Sequence, residues 1–152
     1  MFLNFKNGLF LLLAYALSGG FTQFMKGVFF GDLNRPFFYS SYYGLKIKIV
    51  DDVHMFIHNS FPSGHSTTAF CLFFCLSYMV KPTWAKILLF VIGIFTAFSR
   101  VYLSQHFFED IFAGAIIGVT FSSLLAWMFF ISPLSSKMNN LNKPVYKVFS
   151  KE

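Results

Sequence analysis

"FPSGHSTTAFCLFFCLSYMV", residues 61 to 80, opens with a proline, a glycine, hydroxyls and a histidine and then runs into Cys71, Leu72, Phe73 and Phe74. The apolar part, about residues 63 to 81, approaches the ~20 residues that a helix needs to cross ~30 Å of hydrocarbon. Three more segments of this kind lie at about residues 7 to 25, 84 to 103 and 108 to 131. Composition agrees: of 152 residues, 56% are hydrophobic, 22% aromatic and only 12% charged, which excludes an ordinary soluble domain. The expected fold is all-α, an integral membrane helical bundle with about four transmembrane helices. Residues 1–132 form its single domain, and 133–152 form a polar cytoplasmic tail.

Lys26 and Arg100 fall at predicted span ends, away from the bilayer centre where a charge costs ~2.5 to 3.5 kcal/mol or more. Lys6 before an apolar core and the small residues of "ALSGG" also fit a signal peptide, but the segment is long and ends in Phe, Gln, Phe and Met. Four alternating helices put Lys6, Lys81, Lys86 and the tail lysines on one side, which the positive-inside rule makes cytoplasmic. In a bacterium this is the inner membrane, with the opposite ends of the helices at the periplasm. The net charge of +6 is scattered through loops and tail, so no nucleic-acid partner is expected. Cys71 and Cys75, four apart inside a span, read as small hydrophobes in a packed helix. "GAIIG" at residues 114 to 118 reads as a close helix contact.

The connection from Lys26 to about residue 62 is long for a loop in a compact domain, and such loops are usually functional. It carries "GDLNRP" as a turn, then "FFYSSYYG" and "LKIKIVDDVHMFIHN", whose aromatics suit the headgroup region. "LKIKIV" alternates like a strand, or its lysines bind lipid phosphates. Asp51, Asp52, His54 and His58 offer ligand types for a divalent metal, although a headgroup-facing segment accounts for them more simply.

The polar residues converge under this topology. Lys26 ends the first span, Ser63, Gly64 and His65 start the second, Arg100 nears the end of the third, and His106 with Asp110 starts the fourth. All arrive at the outer face, as a single site at the membrane surface requires. Lys26, Arg35 and Arg100, with free backbone N–H groups at a helix start, form a receptor for a dianion such as phosphate. Pro62 suits a first helical turn, Gly64 lets an oxyanion approach the backbone, and the Ser63 hydroxyl adds a donor. His106 and Asp110, four apart, can share a helix face, so that the carboxylate orients the imidazole as a nucleophile toward phosphorus. His65 can protonate the leaving oxygen and later activate water.

"KGVFFGDLNRP", "FPSGHS" and "SRVYLSQHFFED" resemble the three signature motifs of the type 2 phosphatidic acid phosphatase superfamily, whose active site is related to those of vanadium-dependent haloperoxidases and bacterial acid phosphatases. The resemblance covers about residues 20 to 120. It implies that His106 is the nucleophile, Asp110 its orienter and His65 the general acid. Lys26, Arg35, Ser63, Gly64 and Arg100 would bind phosphate, and neither metal nor cofactor would be needed. Two features depart from the pattern. The family usually places six residues between the lysine and the Arg-Pro of the first motif, whereas eight separate Lys26 from Arg35. Its membrane members usually have six spanning helices, so this chain is expected to be a shorter protein, a fragment or the product of a misplaced start, with possible dependence on a homodimer.

The function expected is a membrane lipid phosphatase that hydrolyses a lipid phosphomonoester or pyrophosphate through a phosphohistidine. Undecaprenyl pyrophosphate, phosphatidylglycerol phosphate, phosphatidic acid and lipid A phosphates are the candidate substrates. The alternatives are a lipid phosphotransferase using the same histidine and a non-catalytic membrane scaffold.

Overall fold

A computed structural model describes residues 4–47 and 54–138. The helices are α1 (Phe5–Val28), α2 (Pro36–Tyr43), α3 (Gly64–Met79), α4 (Thr83–Tyr102), α5 (Phe108–Ala126) and the short α6 (Ser135–Met138). A π-helical turn, Trp127–Ile131, prolongs α5. There is no β-strand among the described residues. The fold is all-α, as expected.

Three helices are long and apolar enough to span a bilayer, Phe5–Val28, Thr83–Tyr102 and Phe108–Ile131, which makes this an integral membrane protein. The fourth apolar segment forms a shorter helix than these three. Helix α3 has 16 residues, about 24 Å of rise. Its start is fixed by the Ser63 cap, and Pro82 disfavours helical backbone at Lys81 behind it, so the helix stops at Met79. Pro62 stands before the cap instead of in the first turn, and the Phe61–Pro62 peptide is cis. The short helix is also the central one, packed against α1, α4 and α5. The outward face of α4, with Ile87, Phe90 and Phe95 exposed, is apolar surface of the kind a bilayer covers.

Gly114 and Gly118 determine how closely α5 approaches α3. A Cβ on Gly114 would lie 2.5 Å from the Ser63 carbonyl oxygen, and one on Gly118 would meet the Thr67 carbonyl oxygen and stand 2.9 Å from the Cys71 nitrogen. The two helices therefore run parallel with backbones in contact, which puts Ser63 beside the first turns of α5. Backbone atoms cannot rotate away as a side chain can. Gly118→Ala is accordingly expected to destabilise the bundle by about 1 to 3 kcal/mol, read as a lowered melting temperature in detergent.

Beyond this contact, away from the polar residues, a core of Phe10, Ala14, Cys71, Cys75, Leu125, Ala126 and Phe129 closes the bundle. Both cysteines are free and fully buried, acting as the small hydrophobes expected. Lys6 is buried too, its ammonium 5.0 Å from the centre of the Phe130 ring.

The connection from α1 to α3 folds into α2, with Pro36 in its first turn and Gly44 (φ 65°) taking the left-handed position that ends it. Its exposed Tyr42 and Tyr43 form an aromatic face suited to headgroups. Residues 48–53, including most of "LKIKIV" with Asp51 and Asp52, lie outside the described residues, as does the tail from residue 139. Residues 45–47 are not in a strand.

Candidate active site

The eight-residue spacing in the first motif is accommodated by local geometry. Helix α1 continues to Val28, and a turn follows in which Gly31 lies close under the Lys26 carbonyl oxygen, 3.3 Å from where a Cβ would be. Two backbone bonds then clip this strip to the segment before the second motif: Arg35 N–H to the Ile57 carbonyl, 2.7 Å, and Ser60 N–H to the Leu33 carbonyl, 3.0 Å. As a result Lys26 and Arg35 meet at one atom. The Asn59 carbonyl oxygen accepts from Lys26 Nζ at 3.0 Å and from Arg35 Nη2 at 3.2 Å.

His106 lies just outside α5, two residues before its first turn, so its meeting with Asp110 does not come from helical register as expected. The turn after α4 delivers it. Ser104 takes a left-handed backbone (φ 54°), and the N–H groups of Gln105 and His106 both return to the Arg100 carbonyl. Asp110, in the first turn of α5, reaches back to the Phe107 N–H at 2.9 Å, the carboxylate half of a capping box. Its Oδ2 also accepts from Ser60 Oγ at 2.5 Å and pairs with His106 Nδ1 at 3.2 Å. His106 is 1% exposed and Asp110 4%.

The tautomer follows from Arg35. Its Nη1 stands 3.4 Å from His106 Nε2, and a guanidinium only donates, so Nε2 carries the lone pair and Nδ1 the proton given to Asp110. Burial pushes the His106 pKa below the ordinary histidine value. Asp110 opposes this, while the charges of Arg35 and Lys26 reinforce it. The imidazole is therefore neutral, with its lone pair aimed at the cations.

A cleft of about 390 Å³ opens between α1 and α3, and Lys26, Arg35, Gly64, His65 and His106 all stand on its wall. Nothing lies within 4 Å of where a Gly64 Cβ would be, so the start of α3 is open to an incoming anion. Gly64 and His65, both on this wall, begin α3, so their N–H groups have no carbonyl one turn behind them. Ser63 and Arg100 are not on the wall. Ser63 is fully buried as the α3 cap, its Oγ accepting from Ser66 N at 3.4 Å and its N–H donating to the Asp110 carbonyl at 2.9 Å. Arg100 is held by Ser99 Oγ and by Gln105 Oε1, each at 3.2 Å, near enough to His65 for the two charges to interact.

Reading the sequence missed Ser60, Asn59 and Gln105. Ser60 bonds the catalytic carboxylate candidate, and Asn59 and Gln105 present the carbonyls that Arg35 binds, the latter at 3.2 Å. Asn59 carried one signal, as an asparagine, a residue tolerant of its positive φ of 59°. Of the suggested metal ligands, the two histidines have other contacts: His58 Nδ1 lies 2.7 Å from Asn34 Oδ1, and the His54 ring packs on Phe56 at 4.6 Å.

The model of the PAP2 superfamily matches residues 7–133. The chain belongs to the PAP2 superfamily. PAP2 relatives include the lipid A 1-phosphatase of Porphyromonas gingivalis, 33% identical over 72 residues, which is 46% of this chain and 16% of that protein. Phosphatidylglycerophosphatase B of Bacillus subtilis is 39% identical over 69 residues, 40% of this chain and 34% of that protein. The chain thus aligns with about a third or less of the length of these PAP2 relatives. The crystal structure of Aquifex aeolicus LpxE superposes with a TM-score of 0.60 at 27% identity, covering 76% of this chain and 64% of that one.

Proposed function

We propose that this PAP2 protein is a membrane lipid phosphatase acting on a lipid phosphomonoester or pyrophosphate through a phosphohistidine. One observation carries the reading: a buried, neutral His106 is oriented through Nδ1 by Asp110 while its Nε2 lone pair faces a cleft walled by Lys26, Arg35 and His65. The lipid A and phosphatidylglycerophosphate named for the relatives are of the same substrate class.

The substrate phosphate occupies the space before Nε2, held by Lys26, Arg35 and the open start of α3, with Arg100 adding charge from behind His65. His106 Nε2 attacks phosphorus and the bond to the leaving oxygen breaks, His65 supplying the proton that oxygen needs. Asp110 balances the positive charge that forms on the ring. Water then attacks the phosphohistidine, giving a proton to His65, and inorganic phosphate leaves with both histidines restored. The cations carry the main electrostatic burden, because phosphoryl transfer is catalysed chiefly by positioning and charge stabilisation. Lys81, between α3 and α4, and Lys86, in the first turn of α4, stand at the other end of the bundle and support an outward, periplasmic orientation of the site.

Purified chain in detergent is expected to release phosphate from lipid phosphates with EDTA present, since cations and histidines surround the cleft and its buried carboxylate already accepts three bonds. Activity abolished by the chelator and restored by a divalent metal would overturn this reading. The pH profile follows from His106. Only the neutral ring attacks, and a lowered pKa extends the neutral form to lower pH. The acid limb of kcat/KM is therefore expected below pH ~6.5, the ordinary histidine value, and a limb above it that vanishes in a His106 variant would contradict the assignment.

A further inference from the structure

The cleft is larger than a phosphate requires, and it extends along α1 away from the cations, past Gln23 and Gly19 to Tyr15. At 1.5 Å per residue these stand about 4.5, 10 and 16 Å below Lys26 along the helix. Opposite Gln23, at the same depth below His65, the wall of α3 carries Thr68. The Gln23 side chain is exposed and makes no hydrogen bond among the described residues. The Thr68 hydroxyl donates to the Gly64 carbonyl at 3.0 Å, which leaves its oxygen able to accept. An amide and a hydroxyl thus line the same groove about one turn below the phosphate position. One turn deeper the wall has no side chain: nothing lies within 4 Å of where a Gly19 Cβ would be.

We propose that this groove between α1 and α3 holds the body of the substrate, and that it selects a lipid whose phosphate is joined through a glycerol or sugar unit over a polyprenyl phosphate. The inference rests on the phosphatase reading. Depth is its warrant. The ester or hydroxyl oxygens of such a linker fall about one helical turn from phosphorus, where Gln23 and Thr68 offer partners, and the hydrocarbon begins near Gly19, where the groove is open. A polyprenyl chain has no polar atoms at that level and would leave the amide without a partner at a desolvated contact.

The test uses the full chain in detergent with three substrates: long-chain phosphatidic acid, a polyprenyl phosphate and the soluble ester p-nitrophenyl phosphate. The parent is expected to favour phosphatidic acid over the polyprenyl phosphate in kcat/KM. Gln23→Leu is expected to lower that preference by about 3- to 10-fold, the worth of a neutral hydrogen bond, mainly through KM. Gly19→Leu fills the groove, so both lipids should fall about tenfold or more relative to the soluble ester, with Gly19→Ala intermediate. The soluble ester reports whether each variant is folded and competent. The inference is overturned if the parent prefers the polyprenyl phosphate, if Gln23→Leu changes all substrates alike, or if Gly19→Leu leaves the ratio of lipid to soluble ester unchanged. Absence of release from all three substrates by the parent would instead overturn the phosphatase reading, and this inference with it.

Discussion

Replacing His106 with alanine is expected to lower phosphate release by at least about 10⁴-fold, the scale on which enzymes lose activity when a nucleophile is removed. The loss should lie in kcat, because Lys26, Arg35 and the start of α3 still bind the phosphate. The substitution removes a ring that is 1% exposed, so folding needs its own control. His106→Asn or His106→Gln keeps a polar group near Asp110 and should be equally inactive with a melting temperature close to that of the parent. Quenching the parent with alkaline detergent during turnover of a phosphorus-labelled substrate should leave label on the chain that alkali retains and acid releases, as a phosphoramidate does, and none on the variants. A variant with a rate within tenfold of the parent would remove His106 as nucleophile and leave the Asp110 pair as a structural link between two loops.

Much of this was legible in the sequence because of where residues sit relative to spans. Runs of apolar residues placed α1, α4 and α5, and alternation of the helices brought Lys26, Gly64, His65, Arg100 and His106 to one end. Gly114 and Gly118 announced a tight helix contact, since small residues four apart on an apolar helix let backbones approach, and the structure makes α3 its partner. What stayed hidden depended on turns. Eight residues between Lys26 and Arg35 departed from the usual six, and spacing alone did not show how the turn at Gly31 folds the strip so that both side chains reach the Asn59 carbonyl. The four-residue spacing of His106 and Asp110 suggested one helical face, whereas a left-handed Ser104 and bonds to the Arg100 carbonyl set the histidine outside the helix. Ser63 looked like a donor to phosphate from its place in the motif, and its burial as a cap became visible only with α5 packed over it. The length of α3 was misjudged because hydropathy continues through Val80 while the backbone stops for Pro82.

Asp110 separates orientation from folding. Its Oδ2 is the common acceptor for Ser60 Oγ, the Phe107 N–H and His106 Nδ1, at 2.5, 2.9 and 3.2 Å, and its carbonyl accepts from the Ser63 N–H. One carboxylate therefore ties the second motif, the start of α5 and the catalytic histidine candidate together. Asp110→Ala leaves those three donors without their acceptor, at about 1 to 3 kcal/mol for each buried group, and is expected to give little folded protein. Asp110→Asn is the informative change. With its amide oxygen placed where Oδ2 was, it can still accept from all three donors, so the fold should survive with a modest drop in melting temperature. It lacks the negative charge, however, and the positive ring formed when His106 bonds to phosphorus has nothing to balance it. Phosphate release should fall about 10⁴-fold, the loss seen when a carboxylate that orients a catalytic histidine is made neutral. A folded Asp110→Asn protein with the parent's rate would show that Asp110 only anchors the loops. A rate loss matched by unfolding would show the same, which is why turnover and melting must be measured on one preparation.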